Sequence, residues 1–250
     1  MRRRWLIGLL ATAVLGLSAA AQADWRDMLK GAADRLQGGA SDSQVSGLTT
    51  TEMNGGLKEA LAIGTERAIS GLARPGGYLD DPAVRIPLPG ALEKTEKVLR
   101  MMGQGERVDE FILTVNRAAE RAVPQASKIV GNAVREMTIT DAQKILTGPD
   151  DAATQYFRGK TSGDLTTAML PIVKRATESA GVTRAYKGML DKAGPASSLV
   201  GGSLDLDAYV TEKTLDGLFL KLADEERAIR TNPVARSTDL LKKVFGATQR

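Results

Sequence analysis

Apolar residues recur at helical spacing along almost the whole of this chain. Met53, Leu57, Leu61, Gly64, Ala68 and Leu72 trace one face of a long helix. Thr49-Thr50-Thr51-Glu52 has the Ser/Thr-x-x-Glu form of a capping box and marks its start. Pro75 disfavours helical geometry in the residue before it, so this helix stops at Arg74. A further helix carries Leu92, Thr95, Leu99 and Met102 and ends at Gly103; the next carries Val108, Phe111, Ile112, Val115, Ala119 and Ala122. Pro124 lacks a backbone donor and should kink or restart that helix, with Ile129, Val130, Ala133 and Met137 continuing it.

Thr140 is expected to cap a short helix through Leu146, and Asp150 to begin another that carries Tyr156 and Phe157. Thr161 or Ser162 is expected to cap a helix over 164–180, kinked near Pro171 and closed by Gly181. Thr183 then opens a short helix with Tyr186 and Leu190. Residues 205–230 carry Tyr209, Leu215, Leu218, Phe219 and Leu222 on a long helix ended by Asn232-Pro233, and 238–245 form a last short one. No strand pattern or internal repeat stands out; Glu-Arg-Ala at 66, 120 and 226 is too short to count as one. The pattern predicts an all-α fold, a single multi-helix domain with kinked helices.

The segment RPGGYLDDPAVRIPLPG, residues 74–90, breaks that pattern. It holds four of the chain's nine prolines, which restrict it to an ordered, extended course. A corner between helices needs only ~2–8 residues, and this connection is longer. Val84, Ile86 and Leu88 alternate, so one side should pack on the helices, while Asp80-Asp81 before Pro82 fits turn chemistry. The reading is a structural strap first and a binding element second, with Tyr78, Asp80, Asp81 and Arg85 as its polar contacts to a ligand or partner.

The N-terminus changes the picture of compartment. Arg2, Arg3 and Arg4 precede an apolar run from Trp5 to Leu17, and Ala21-Gln22-Ala23 has the small-x-small form of a cleavage site. Residues 1–23 therefore read as a cleaved signal peptide, 24–47 as an N-terminal helix and flexible linker, 48–246 as the helical domain and 247–250 as a tail. The expected location is the periplasm, with no transmembrane segment after cleavage. The 34 basic residues against 30 acidic ones fall to 31 against 30 once the three leader arginines are removed. So balanced a mature chain gives no support for nucleic-acid binding.

Composition excludes more chemistry than it suggests. The chain has no histidine and no cysteine, which removes disulfides, Ser-His-Asp and Cys-His catalysis, and the usual zinc, copper, haem and iron–sulfur ligands. No metal and no cofactor are expected, and no catalytic residue is identified. Gly159-Lys160-Thr161 matches the tail of a P-loop, but Thr154 occupies the position of its first glycine. Lys160-Thr161-Ser162-Gly163 echoes the Lys-Thr-Gly element of penicillin-binding enzymes, yet no serine has a lysine three residues on. Glu178-Ser179 matches the start of the lytic transglycosylase motif but lacks its downstream segment, and reads as an ordinary helix end. The acidic pairs at 80–81, 150–151, 205/207 and 225–226 have no EF-hand spacing; those at 150–151 and 205/207 read as helix caps. Phe111, Phe157 and Phe219 read as core, and Tyr156, Tyr186 and Tyr209 as rings beside it.

Six stretches occur in a characteristic order: GLKEAL (56–61), GGYLDDPAVRIPLP (76–89), MTITDAQKIL (137–146), DAATQYFRGKTSGDL (151–165), DAYVTEKTLDGLF (207–219) and NPVARSTDLLKKVFG (232–246). Through them the chain resembles a family of secreted proteins from Gram-negative bacteria known only as a domain of unknown function. The resemblance covers roughly 45–246 and implies an exported, all-helical fold with no assigned activity or catalytic residues. Two functions stay open. One is a non-catalytic binding or interaction protein for a small or lipidic ligand or an envelope protein. The other is a carboxylate-based hydrolase acting on cell-envelope polymers. Two facing carboxylates, one desolvated, would favour the enzyme; an apolar cavity or patch beside the strap would favour binding.

Overall fold

The structure is a computed structural model and describes residues 49–90, 96–97, 100–179 and 205–231. Its helices are α1 (Thr50–Ala73), α2 (Gly105–Ala122), α3 (Ala126–Glu136), α4 (Ile139–Thr147), α5 (Ala152–Ser179) and α6 (Leu206–Thr231). A turn of 3-10 helix, Val123–Gln125, joins α2 to α3 with Pro124 in its first turn, so the proline restarts the helix as expected. The described residues contain no strand, and they form a single all-α domain.

The core follows the apolar stripes. The long helices α5 and α6 pack along each other, α2 lies on α5, and α1 lies on α6. Phe111, Phe157 and Phe219 are all buried, together with Leu57, Leu72, Leu165, Met169 and Leu218. Each such side chain contributes about 1.5–3 kcal/mol by leaving water.

Helix ends match the sequence where the chemistry is local. The amide of Glu52 donates to Thr49 Oγ1 at 3.2 Å and the amide of Thr49 donates to Glu52 Oε2 at 2.9 Å, completing the capping box of α1. Arg74 is extended (φ −69°, ψ 154°), as its proline neighbour requires. The α6 start is capped by Asp205, whose Oδ1 accepts from the amide of Ala208 at 3.0 Å.

Two helix starts differ from expectation. Thr138, not Thr140, caps α4; the amide of Asp141 donates to Thr138 Oγ1 at 3.1 Å and the amide of Thr138 to Asp141 Oδ2 at 3.0 Å. Starting there sets Met137 and Ala142, both buried, at the two hydrophobic-staple positions. The second correction is larger. No helix ends at Gly159 and none is capped by Thr161 or Ser162, because α5 runs unbroken from Ala152 to Ser179. The hydroxyl of Thr161 donates backward to the Phe157 carbonyl at 2.7 Å, and that of Ser162 to the Arg158 carbonyl at 2.6 Å. Phe157, Thr161, Leu165, Met169 and Val173 form one buried stripe across the supposed break. Pro171 stands inside this helix on its exposed side.

Of the helix expected before Gly103, residues 96–97 and 100–101 are helical, and Gly103 follows with φ 72°. The expected signal peptide, the helix and linker of 24–47, the short helix at 183–190 and the helix at 238–245 lie outside the described residues.

Candidate functional site

The strap is built as an ordered loop that borrows its hydrogen-bond partners from side chains. Val84, Ile86 and Leu88 are buried, so the alternation read from the sequence is its packing pattern. A buried extended segment still needs partners for its amides, since orphaned N–H groups cost free energy. Glu120 on α2 supplies them at one end: its Oε1 accepts from the amides of Gly76 (3.0 Å), Tyr78 (3.3 Å) and Leu79 (3.4 Å). Its other oxygen pairs with Arg117 at 2.6 Å. One turn earlier, Asn116 accepts from the Ile86 amide at 2.8 Å and donates to the Ile86 carbonyl at 2.9 Å, as a neighbouring strand would. From α6, the Tyr209 hydroxyl donates to the Pro87 carbonyl at 3.1 Å.

The same device recurs at the start of α5. Glu226, buried on α6, accepts from the amides of Ala153 (3.0 Å) and Thr154 (2.9 Å) and from the Thr154 hydroxyl (2.9 Å). Capping here was expected of Asp150-Asp151; the acceptor comes instead from another helix. Arg230 balances the charge, contacting Glu226 at 2.8 Å and donating to the Ile145 carbonyl at 2.8 Å. Asn116, Glu120 and Glu226 were missed in the sequence. The signal was present: Asn116 and Glu120 follow Ile112 at steps of four, and Glu226 follows Leu222 at the same step, so all three occupy apolar-stripe positions.

The four residues singled out in the strap do not meet in one pocket. Tyr78 is fully buried, and its hydroxyl donates to the Thr214 carbonyl at 2.7 Å. Burial, with the charge of Glu120 second, pushes that hydroxyl far above its ordinary value of 10.0. Tyr78 is thus a core residue that anchors the strap on α6 and is out of reach of a ligand. Gly76 is in the left-handed region (φ 86°), and a Cβ there would collide with Asp80 Oδ2. The exposed Asp80 therefore folds back over its own turn. Asp81 Oδ1 accepts from the amide of Ala83 at 3.0 Å, the turn bond expected of it, and Oδ2 meets Lys221 at 2.7 Å. The hydrogen bond from Lys221, then that from Ala83, holds the Asp81 carboxyl below its ordinary 3.8.

Two grooves flank the strap. The larger, of about 480 Å³, lies between Ala83–Ile86, the start of α5 and one face of α6. Arg85, Arg158 and Lys213 bring positive charge to it, Asp151 and Asp216 negative charge, and Leu220 apolar surface beside the buried Phe219. Arg158 lies over the Phe219 ring, 4.5 Å from its centroid. The smaller groove, of about 270 Å³, collects Arg67, Arg74, Lys221, Asp81, Asp224 and Glu225. Desolvation pushes the Glu225 carboxyl up from its ordinary 4.5, against the opposing pull of Arg67. Arg85 thus opens on one groove and Asp81 on the other. Tyr156 and Tyr209 line neither groove, and Tyr186 lies outside the described residues.

Glu178 is exposed at the end of α5, and Gly159-Lys160-Thr161 lies inside that helix, so neither motif fragment has the surroundings its chemistry requires. Among the described residues no three acidic side chains group as a metal site, and no helix is long and apolar enough to cross a membrane.

Among known protein families, the family model described as "Protein of unknown function (DUF4197)" matches residues 47–246. No curated protein and no solved structure matches the chain.

Proposed function

The chain belongs to this family of unknown function, and from that premise we propose that it is a non-catalytic binding protein of the periplasm. Its ligand or partner occupies the larger groove beside the strap. The observation that carries this reading is the groove's construction. One wall is a loop fixed in place by Glu120, Asn116, Tyr209 and Lys221, and the facing helices present Arg158 and Lys213 around Phe219. A rigid wall with few regular hydrogen bonds of its own is the arrangement in which loops carry recognition. Arg85 is the strap contact to the ligand. Export is supported by the leader-like residues 1–23.

The test uses the chain recovered from a periplasmic fraction. Thermal-shift measurements against small-molecule extracts of the cell envelope should raise the melting temperature of the wild-type protein. Ala83→Trp, which fills the groove from an exposed position, should abolish the rise. An equal rise in the Ala83→Trp protein, or none in either, would sink the groove reading. A reporter lacking its own leader and fused behind residues 1–23 should be exported; retention in the cytoplasm would overturn the location.

A second reading has its own observation. In the smaller groove Glu225 is pushed up by desolvation while Asp81 is held down by Lys221, the opposed pair that an acid and a base require. On this reading Glu225 is the general acid of a hydrolase acting on envelope polymers, and Asp81 the accompanying carboxylate. Glycan release from isolated cell walls, lost in Glu225→Gln, would establish it. No release by the wild-type protein excludes it.

A further inference from the structure

We infer that the larger groove selects a small organic anion with an aromatic or apolar body, its oxyanion held by Arg85 and Arg158 beside Phe219. This rests on the binding reading above and adds the chemical class of the ligand.

The argument starts from which charges are already committed. Asp216 meets Lys213 at 3.0 Å and Arg158 at 3.5 Å. Lys213 is the closer partner of Asp216, and the hydrogen bond between them raises the Lys213 pKa. Asp151 accepts from the side-chain amide of Gln155 at 2.9 Å. Arg158 keeps only the longer contact to Asp216, between two side chains about half exposed (51% and 46%), where solvent screens the attraction. It can turn its donors to an incoming oxyanion while Asp216 remains neutralised by Lys213. Arg85 makes no ion pair among the described residues. Its charge reaches Asp109, but that carboxylate is engaged by Arg100 at 2.8 Å.

The start of α5, which also borders the groove, is not the anion site. The Pro149 carbonyl takes the Ala152 amide at 3.0 Å, Glu226 takes those of Ala153 and Thr154, and the Asp151 carbonyl takes that of Gln155 at 2.9 Å. Recognition therefore falls to the two guanidiniums, whose planar forks match a carboxylate, phosphate or sulfonate. The Arg158 guanidinium carbon lies 4.5 Å from the Phe219 ring centroid, which holds the charge beside the ring at the groove.

The rest of the groove sets the ligand's body. Leu220 is exposed at 40% next to the buried Phe219, a hydrophobic step at the mouth of a charged groove. The volume of about 480 Å³ is that of a small-molecule site. An anionic membrane surface offers similar oxyanions, but a recessed groove of this size takes a free molecule.

A pair of dyes tests the inference directly. Anilinonaphthalene sulfonate is an aromatic anion, and N-phenylnaphthylamine is its neutral counterpart. The wild-type chain should bind the sulfonate saturably, with one site, and the neutral dye at least tenfold more weakly. Arg85→Ala and Arg158→Gln should each weaken the sulfonate by roughly tenfold, the scale of a lost hydrogen bond to a charged group, and leave the neutral dye unchanged. Arg85→Lys should fall between, because it keeps the charge without the fork. Far-UV circular dichroism confirms that each variant is folded.

Equal binding of both dyes, no saturable sulfonate signal, or sulfonate binding indifferent to both arginine variants would overturn the inference. If Ala83→Trp then still expels both dyes, the groove is a binding site and only its anion selectivity is lost. If Ala83→Trp expels neither, the dyes sit elsewhere and the groove reading falls as well. Co-sedimentation with phosphatidylglycerol vesicles that depends on Arg85 and Arg158, with no sulfonate binding, would replace the free anion by a membrane.

Discussion

Glu120 gives the strap three amide contacts that a helix or strand would have supplied from its own backbone. Removing its carboxylate strands those amides in the interior, where each unsatisfied group costs about 1–3 kcal/mol. Glu120→Ala should therefore destabilise the protein by at least ~3 kcal/mol in a urea titration. Glu120→Gln keeps an acceptor oxygen and should lose less, about 1–2 kcal/mol. Equal losses in the two variants would show that charge, not amide satisfaction, is the source of the effect. Asp81 acts at the surface and through pH. Its carboxyl is lowered below 3.8, so the stability it contributes is present above that value and disappears as pH falls through the folded-state pKa. Asp81→Asn should lower stability at neutral pH by no more than about 1 kcal/mol, because solvent screens the Lys221 pair. In acid the stability curves of the two proteins should merge, as denaturation at stepped pH would show.

Between elements, a close contact joins the strap to α6 at Gly217. A Cβ there would lie 2.6 Å from Tyr78 Cε1 and 3.2 Å from Val84 Cβ, so the strap seats on α6 only because the side chain is missing. Gly217→Ala should cost about 1–3 kcal/mol by overpacking. The double variant with Tyr78→Leu should cost less than the sum of its parts, because the ring that causes the clash is gone. Full additivity would mean that the strap does not bear on this face. The elements also show which signals in the sequence could be read. Thr49, Pro75 and Asn232-Pro233 are local signs, and two of these boundaries, at Thr49 and Arg74, stand where they were placed. The break expected at Thr161-Ser162 was false, because a threonine caps a helix or bonds back to the preceding turn according to what its neighbours bury. Here Phe157 and Leu165 bury the same stripe on either side. Asn116 and Glu120 escaped notice because their value depends on a strap 30 to 44 residues away in sequence.

For the whole molecule, the all-α class and the family were legible because helical periodicity and ordered segments run through most of the chain. The candidate site was legible only in outline. The strap is its wall, but Arg158, Lys213 and Phe219 come from other helices, and one sequence carries no sign that they face Arg85. That separation has a further consequence, in time. The strap precedes α2 in the chain, yet it cannot be sealed until α2 has formed and brought Asn116 and Glu120 against it. Its closure is therefore expected on the late, downhill side of the folding barrier. Asn116→Ala should therefore quicken unfolding in stopped-flow urea jumps and leave the refolding rate near that of the wild type. A matching drop in refolding rate would place the strap in the nucleus instead. A seal that forms last also opens first, so the lifetime of the native molecule should follow the hold that Asn116 and Glu120 from α2, and Tyr209 and Lys221 from α6, keep on this loop.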